Sequence, residues 1–206
     1  MTVVVLLFLL LAYLMGSVPT GYLIGRFRGI DLREHGSGNL GATNVYRVLG
    51  AGAAAPVVVI DIAKGFVPAW FFPGWDGTAA AGLGVAYGLA AIVGHVWPFA
   101  LRFRGGKGVA TGAGVLLALA PLATLVALFV WIGIVSLTRY VSVGSLATAT
   151  LVPLLALAFD APTTTVWFCA LVALFVWWTH RENLRRLAAG TEHRFGSGRR
   201  RPGASE

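Results

Sequence analysis

The sequence predicts an all-α integral membrane protein of about seven transmembrane helices, two of them short, with the N-terminus outside and the C-terminus cytoplasmic. Three observations carry this. Of 206 residues, 57% are hydrophobic and only 12% charged, about half the charged share of a soluble domain. The hydrophobic residues gather in runs of about the length a spanning helix needs. The formal net charge is +8, and its arginines cluster between runs, as at a cytoplasmic interface facing anionic headgroups or an anionic substrate. No soluble basic domain exists to carry nucleic acid, which excludes that partner. Residues 1–192 read as one polytopic membrane domain, and residues 193–206, basic with Gly and Pro, as a disordered or headgroup-bound cytoplasmic tail.

Taken in order, Val3 to Gly25 is the first span. No basic residue precedes it and no small-x-small cleavage site follows, so it reads as retained rather than as a signal peptide. Ser17 and Pro19 interrupt it, either as a mere kink or because this end lines a site. Arg26, Arg28 and Arg33 then place this end inside the cell. Ala51 to Phe72 is the second span. It carries Asp61 and Lys64 at i and i+3, one face of a helix, so they can pair. Charge at membrane depth is costly, and the pair must face the bundle; a functional pair and a structural ion pair both remain open. Pro73 to Thr78 is an outer loop without Lys or Arg. Its Asp76-Gly77 lacks the further Asp and Arg residues of a CDP-alcohol phosphotransferase motif.

Ala79 to Leu101 is the third span. Val109 to Thr138 reads as two short helices broken near Pro121, because a single long one would put Arg139 and every later basic residue outside. Arg139 to Ser145 is a polar inner stretch. Leu146 to Phe159 goes out, and Thr163 to Thr179 returns, ending in the interfacial pair Trp177 and Trp178. His180 and Asn183 follow on one face of a helical extension. Cys169, the single cysteine, lies in an apolar run and can form no internal disulfide.

Chemistry concentrates in the connections. Gly36 to Arg47 interleaves Gly36, Gly38 and Gly41 with Ser37, Asn39, Thr43, Asn44 and the cation Arg47. Glycines permit close backbone approach, and hydroxyl, amide and guanidinium groups can bind an oxyanion, so the stretch reads as a phosphate cradle. Its three glycines also spell the dinucleotide fingerprint, but no βαβ unit surrounds them. A second cluster, Arg102-Phe-Arg-Gly105-Gly106-Lys107-Gly108, sets glycine amides beside a lysine, which again suits phosphate. It is not a Walker A loop, having Leu101 and Gly108 where Gly and Ser or Thr belong. The tetrapeptide Arg-Phe-Arg-Gly recurs at Arg26 to Gly29 without making a repeat. These motifs, Arg139–Ser145 and His180–Asn183 fall on one side, and of sixteen Lys and Arg only Lys64 lies off that face. A membrane protein so arranged handles a soluble phosphate together with a lipid.

Ser17-Val-Pro-Thr-Gly-Tyr22, Gly36-Ser-Gly-Asn-Leu-Gly-Ala-Thr-Asn44, Gly94-His-Val-Trp-Pro98 and Gly105-Gly-Lys-Gly-Val-Ala-Thr111 resemble the signatures of the bacterial acyl-phosphate:glycerol-3-phosphate acyltransferase family. So do Asp61-x-x-Lys64-Gly65 and His180-x-x-Asn183, so the resemblance runs to about Glu192. It implies a multi-pass protein of the bacterial inner membrane that moves an acyl group from acyl phosphate to the 1-hydroxyl of glycerol 3-phosphate. The products are lysophosphatidic acid and phosphate, in the first step of phospholipid synthesis. It implies neither metal nor other cofactor. Acyl phosphate, glycerol 3-phosphate and the bilayer are the implied partners, with the soluble enzyme that makes acyl phosphate as a further one by pathway logic. Carried over by motif, Ser37, Lys107, His180 and Asn183 are the expected catalytic residues. Gly36, Gly38, Asn39, Gly41, Thr43, Asn44, Arg47, Gly105, Gly106, Gly108, Ser142 and Ser145 join them in binding. Lys107 and Arg47 are assigned to phosphate charge, and Ser37 with the loop amides to phosphate hydrogen bonds. Ser145, His180 and Asn183 are assigned to the acceptor, with Ser142 the rival of Ser145.

The residues agree that no covalent intermediate is required. No His is followed at the fifth position by Asp, and no Ser-His-acid triad is evident. A mixed anhydride already carries a good leaving group, and a substrate phosphate, with a second pKa of about 6, can take the proton. The competing reading from another class is a transporter of an anionic phosphate metabolite, which charged residues in spans and glycine-broken helices would also fit. Against it stand the absence of an inverted repeat and the gathering of charge at one interface.

Overall fold

Among the described residues, 2–78 and 82–196 of a computed structural model, all regular structure is helical. The first apolar run becomes α1 (Thr2–Gly16), breaks at Ser17 to Pro19, and resumes as α2 (Thr20–Phe27). Pro19 has no N–H to continue the ladder, and the break leaves the Val18 carbonyl to accept from Lys64 Nζ at 2.9 Å. A glycine-rich connection leads to α3 (Ala42–Leu49), and Gly50, at φ 85°, turns the chain into α4 (Ala51–Trp75). Asp76 closes the far end of α4. It accepts from the Tyr87 hydroxyl at 2.6 Å and from the Thr78 N–H at 2.8 Å, a structural cap where the sequence offered a truncated phosphotransferase motif.

The run expected from Ala79 to Leu101 is the shorter α5 (Leu83–Val96) followed by one 3₁₀ turn at Phe99–Leu101, since Trp97-Pro98 ends the α-helix; residues 79–81 lie outside the described part. The long run breaks where proline requires it, into α6 (Val109–Leu119) and α7 (Pro121–Thr138), with Pro121 in the first turn, where its missing N–H costs nothing. Only α6 is short; α7 has 18 residues. The stretch Arg139 to Ser145, expected as a connection, is mostly the start of α8 (Val141–Ala158). One residue in the left-handed region, Arg139 at φ 62°, suffices to reverse the chain. Both serines therefore stand on the first turns of a helix. α9 (Thr163–Thr179) meets α10 (Arg181–Ala188) at a 55° bend on His180.

Among the described residues, five helical runs are long and apolar enough to cross a membrane, six if the bent α9–α10 pair counts as one, and α6 is a shorter apolar helix. Small residues let the central helices touch backbone to backbone. A Cβ on Gly65 would lie 2.1 Å from the Thr111 carbonyl oxygen, and one on Gly114 would lie 2.0 Å from that of Ile62. Interfaces of this kind replace the hydrophobic drive that helices lack in lipid. Val115, Leu116, Phe168, Cys169 and Val172 form the inner core, which places Cys169 in packing rather than against lipid. Phe129, Leu137, Trp167 and Leu174 are among the apolar side chains left on the outside.

The boundary drawn at residue 193 falls inside a segment packed on the bundle. The Phe195 N–H donates to the Arg139 carbonyl at 2.6 Å, and its ring stacks on Tyr46 with centroids 4.6 Å apart. Residues 197–206 of the expected tail lie outside the described part.

Candidate active site

Four chain segments converge at one end of the bundle. The first is the connection from Gly29 to Gly41. Leu32, Leu40 and Val45 bury their side chains beneath it, and buried Asn44 organises it. Asn44 Nδ2 donates to the Leu32 and His35 carbonyls at 3.3 and 3.0 Å, while Oδ1 accepts from the Ser37 N–H at 2.9 Å and from Arg47 Nη1 at 3.2 Å. Asn39 Oδ1 accepts from the Gly41 N–H at 2.8 Å, and the Gly38 N–H donates to the His35 carbonyl. Asn44, expected as a ligand, thus spends both ends of its amide on the loop and Arg47, and Asn39 shapes the loop through Oδ1. Ser37 Oγ makes no hydrogen bond among the described residues, and Arg47 is pointed inward by Asn44.

The second segment, Arg104 to Gly108, lies flat on the end of α5. The Gly105 N–H donates to the Val96 carbonyl at 3.0 Å and the Gly106 N–H to the His95 carbonyl at 3.2 Å. The expectation of glycine amides turned toward a phosphate is therefore corrected at Gly38, Gly41, Gly105 and Gly106. Half-buried amides need a partner, and the end of α5 supplies it to Gly105 and Gly106, as the His35 carbonyl and Asn39 Oδ1 do to Gly38 and Gly41. The glycines serve proximity instead: a Cβ on Gly106 would stand 2.2 Å from His95 Nε2. What the loop presents is Lys107, whose carbonyl accepts from Thr179 Oγ1 at 3.3 Å.

The third segment is the α9–α10 bend. His180 is buried at its apex, with Nδ1 2.8 Å from the Val176 carbonyl. A carbonyl only accepts, so Nδ1 carries the proton, and Nε2 of the neutral ring is an acceptor. One turn on, Asn183 Oδ1 accepts from Lys107 Nζ. The fourth is the segment after α10, which returns Glu192 to the same place. Its carboxylate accepts from Ser142 Oγ at 2.9 Å, Asn183 Nδ2 at 2.5 Å and Arg186 Nε at 2.7 Å.

The result is a patch of Arg47, Lys107 and Arg186 with one carboxylate among them. Burial, reinforced by the Arg186 charge, pulls the Lys107 ammonium down to about 8. For Glu192 burial acts the other way, and the bonds from Asn183, Arg186 and Ser142 outweigh it, holding the carboxyl below its ordinary value. Three cations against one anion leave room for a ligand carrying negative charge.

Lys107, Ser142, His180 and Asn183 are thus brought together, with Arg47 on the rim and Ser37 on the neighbouring loop. Ser145 is not joined to them. It is buried one turn away and accepts from Trp131 Nε1 at 3.3 Å. Thr43 makes no side-chain hydrogen bond among the described residues. Arg186 and Glu192 are the residues that sequence reading missed. Glu192 is the one carboxylate between Glu182 and Glu206 in a strongly basic stretch, and that isolation was the available signal. Asp61 and Lys64 pair as expected, Nζ to Oδ1 at 2.9 Å, both buried within α4.

Residues 6–190 match the family model described as glycerol-3-phosphate acyltransferase. A glycerol-3-phosphate acyltransferase of Halalkalibacterium halodurans is 46% identical over 194 residues, covering 90% of this chain and 92% of that one. One from Thermus thermophilus is 47% identical over 188 residues, covering 91% and 94%. Among solved structures, PlsY, an integral membrane glycerol 3-phosphate acyltransferase, in its glycerol 3-phosphate form aligns with a TM-score of 0.87 at 38% identity, over 93% of this chain and 96% of that one. Its lysophosphatidic acid form aligns at 0.85.

Proposed function

The chain belongs to the glycerol-3-phosphate acyltransferase family, and from that premise we propose that it transfers an acyl group from acyl phosphate to the 1-hydroxyl of glycerol 3-phosphate. The observation that carries the reading is the junction of Arg47, Lys107 and Arg186 with the buried His180–Asn183 turn, beside helices apolar enough to lie in lipid. Cations suit the two phosphates, and the apolar surroundings suit the acyl chain. Lys107 and Arg47 neutralise phosphate charge, and Ser37 Oγ adds a hydrogen bond. Asn183 and the Nε2 lone pair of His180 orient the acceptor hydroxyl.

The transfer is direct. The hydroxyl oxygen attacks the acyl carbonyl carbon, the bond from that carbon to the phosphate oxygen breaks, and phosphate leaves with the electron pair. The proton passes to a phosphate oxygen of the substrates. Positioning and charge neutralisation then supply the rate. In the membrane, α6 and the bent α9–α10 pair join the five long helical runs to make seven spans. The N-terminus lies outside and the site cytoplasmic, in the bacterial inner membrane. The chain acts as one domain that takes in the segment after α10 as far as Phe195, and the soluble enzyme that makes acyl phosphate is the natural supplier. Family membership favours this enzyme over the transporter reading.

Purified protein supplied with glycerol 3-phosphate and acyl phosphate, acyl-CoA or acyl-carrier protein tests the donor. Lysophosphatidic acid should form with acyl phosphate alone, with one phosphate released per turnover. Enzyme given labelled acyl phosphate without acceptor and then denatured should carry no stoichiometric label. A transfer-competent acyl group on Ser37, Ser142 or Ser145 would overturn direct transfer.

A further inference from the structure

Inside the bundle, beneath the two loops, a second polar group has no part in the chemistry above. Asp61, Lys64 and His95 are each less than a tenth exposed. Lys64 Nζ lies 2.9 Å from Asp61 Oδ1, which lies 3.8 Å from His95 Nδ1. Neither Asp61 Oδ1 nor His95 Nδ1 completes an aligned hydrogen bond among the described residues. The three side chains, with Thr20, Leu40 and Gly106, border one small cavity. A buried ion pair is poor evidence for stability, because replacing both members by uncharged residues is often neutral or stabilising. Its retention here calls for a different account.

The contacts supply one. Lys64 also donates to the Val18 carbonyl at 2.9 Å, in the break that starts α2. On α2, Gly21 abuts the Leu40 carbonyl so closely that a Cβ would stand 1.9 Å from it, and Leu40 belongs to the first glycine-rich stretch. At the other end, the face of His95 carrying Nε2 is covered by Gly106, and its carbonyl accepts the Gly106 N–H. Lys107 is the next residue. One buried chain of contacts therefore runs from the loop that carries Ser37 and leads into α3, where Arg47 stands, to the loop that carries Lys107, through α2, Lys64, Asp61 and His95.

We propose that Asp61, Lys64 and His95 are positioning residues that fix the two glycine-rich stretches relative to each other, and so set the spacing of Arg47 and Lys107 for the two substrate phosphates. The inference rests on the acyltransferase reading. Ser37, Gly38, Gly41, Gly105 and Gly106 spend their amides within the protein, which limits how far either loop can adjust by recruiting a phosphate to its backbone. Their relative placement must come from below, and this network is the polar contact beneath both.

The test uses the full chain in lipid nanodiscs and establishes first that the parent makes lysophosphatidic acid from acyl phosphate. Failure there sinks the functional reading and not this one. The variant Asp61→Asn/Lys64→Gln removes both charges at near-constant volume. His95→Phe keeps a ring against Gly106 without the nitrogen facing Asp61. Each should hold its Tm within about 3 °C of the parent yet lose about a hundredfold in kcat/KM, the scale of a 1 Å misplacement at a distance from the chemistry. KM for both substrates should rise, because both phosphates lose their spacing. The charge swap Asp61→Lys/Lys64→Asp restores a pair but not the reach to Val18, and should stay impaired. Kinetics within twofold of the parent in the folded double variant, or full recovery in the swap, overturn the proposal. So does failure of all three variants to fold, which would make the group a purely structural pair.

Discussion

Lys107→Ala is the most direct probe of the site. Lys107 Nζ bonds Asn183 Oδ1, and its charge stands within reach of Arg186, Glu192 and Arg47. On the proposed function, removing it deletes one charge-assisted bond to a phosphate. Such bonds contribute about 1.5–3 kcal/mol, which at about 1.4 kcal/mol per decade lowers kcat/KM by about 10- to 150-fold. The fold should survive. Its backbone is held through Thr179 and its neighbour Gly106, Asn183 keeps Glu192, and repulsion with Arg186 is relieved. A net change within about 1 kcal/mol corresponds to about 2–4 °C in Tm for a chain of this size. Initial rates of lysophosphatidic acid formation over both substrate concentrations, with Tm measured on the same sample, give the result. A rise in KM at constant kcat marks ground-state phosphate binding, and an equal fall in kcat and kcat/KM marks stabilisation confined to the transition state. Unchanged kcat/KM at preserved Tm would show Lys107 to be an interfacial anchor.

The pH dependence follows from the same residue. An amine drawn down to about 8 is charged below that pH and neutral above it, so kcat/KM should fall as pH rises through about 8. In Lys107→Arg the guanidinium stays charged and that alkaline limb should vanish; an identical limb in both proteins would refute the assignment. Ser142→Ala removes one of three bonds to Glu192 and should lower kcat/KM by about three- to tenfold. Ser145→Ala frees only Trp131 and should leave rates within about twofold of the parent, so the reverse order in steady-state rates would restore Ser145 as the acceptor ligand. For topology, single cysteines at Glu34, Asp160 and Thr191 in a Cys169→Ala background should react with an impermeant thiol reagent on intact cells at position 160 alone. Labelling at 34 or 191 would sink the orientation.

Much of this was legible before any coordinates. The start of α9 at Thr163, the interruption at Pro121 and the pairing of Asp61 with Lys64 follow from helix period, proline chemistry and the cost of charge in lipid, all local properties. The partners across the bundle were not legible. Ser142 and Glu192 are 50 residues apart, and no periodicity links them. Reading the segment after α10 as loose tail weighed composition alone, while one carboxylate and one aromatic ring, Glu192 and Phe195, decide where it goes. The glycine loops misled in a specific way. Sequence reveals where amides are sterically accessible but not whether nearby carbonyls have already taken them, and Val96 and His95 have.

The backbone contacts at Gly65 and Gly114 bear on how the molecule can move. Where two helices meet through side chains, rotamer changes let one slide a little past the other. Where carbonyl oxygens of one helix occupy the space a Cβ would need on the other, no side chain remains to yield, and the seam must move as a unit or not at all. Lys107 sits two residues before α6, and Asp61 and Lys64 sit on α4, so these groups share one stiff body. On the proposed function, the play that admits a substrate with a long hydrocarbon tail then lies away from this seam. α7 is the natural candidate, since only Ala123, Ala127 and Val135 of its 18 residues are buried. The protein thus pairs a frame that holds the charges still with a flank turned outward to oil.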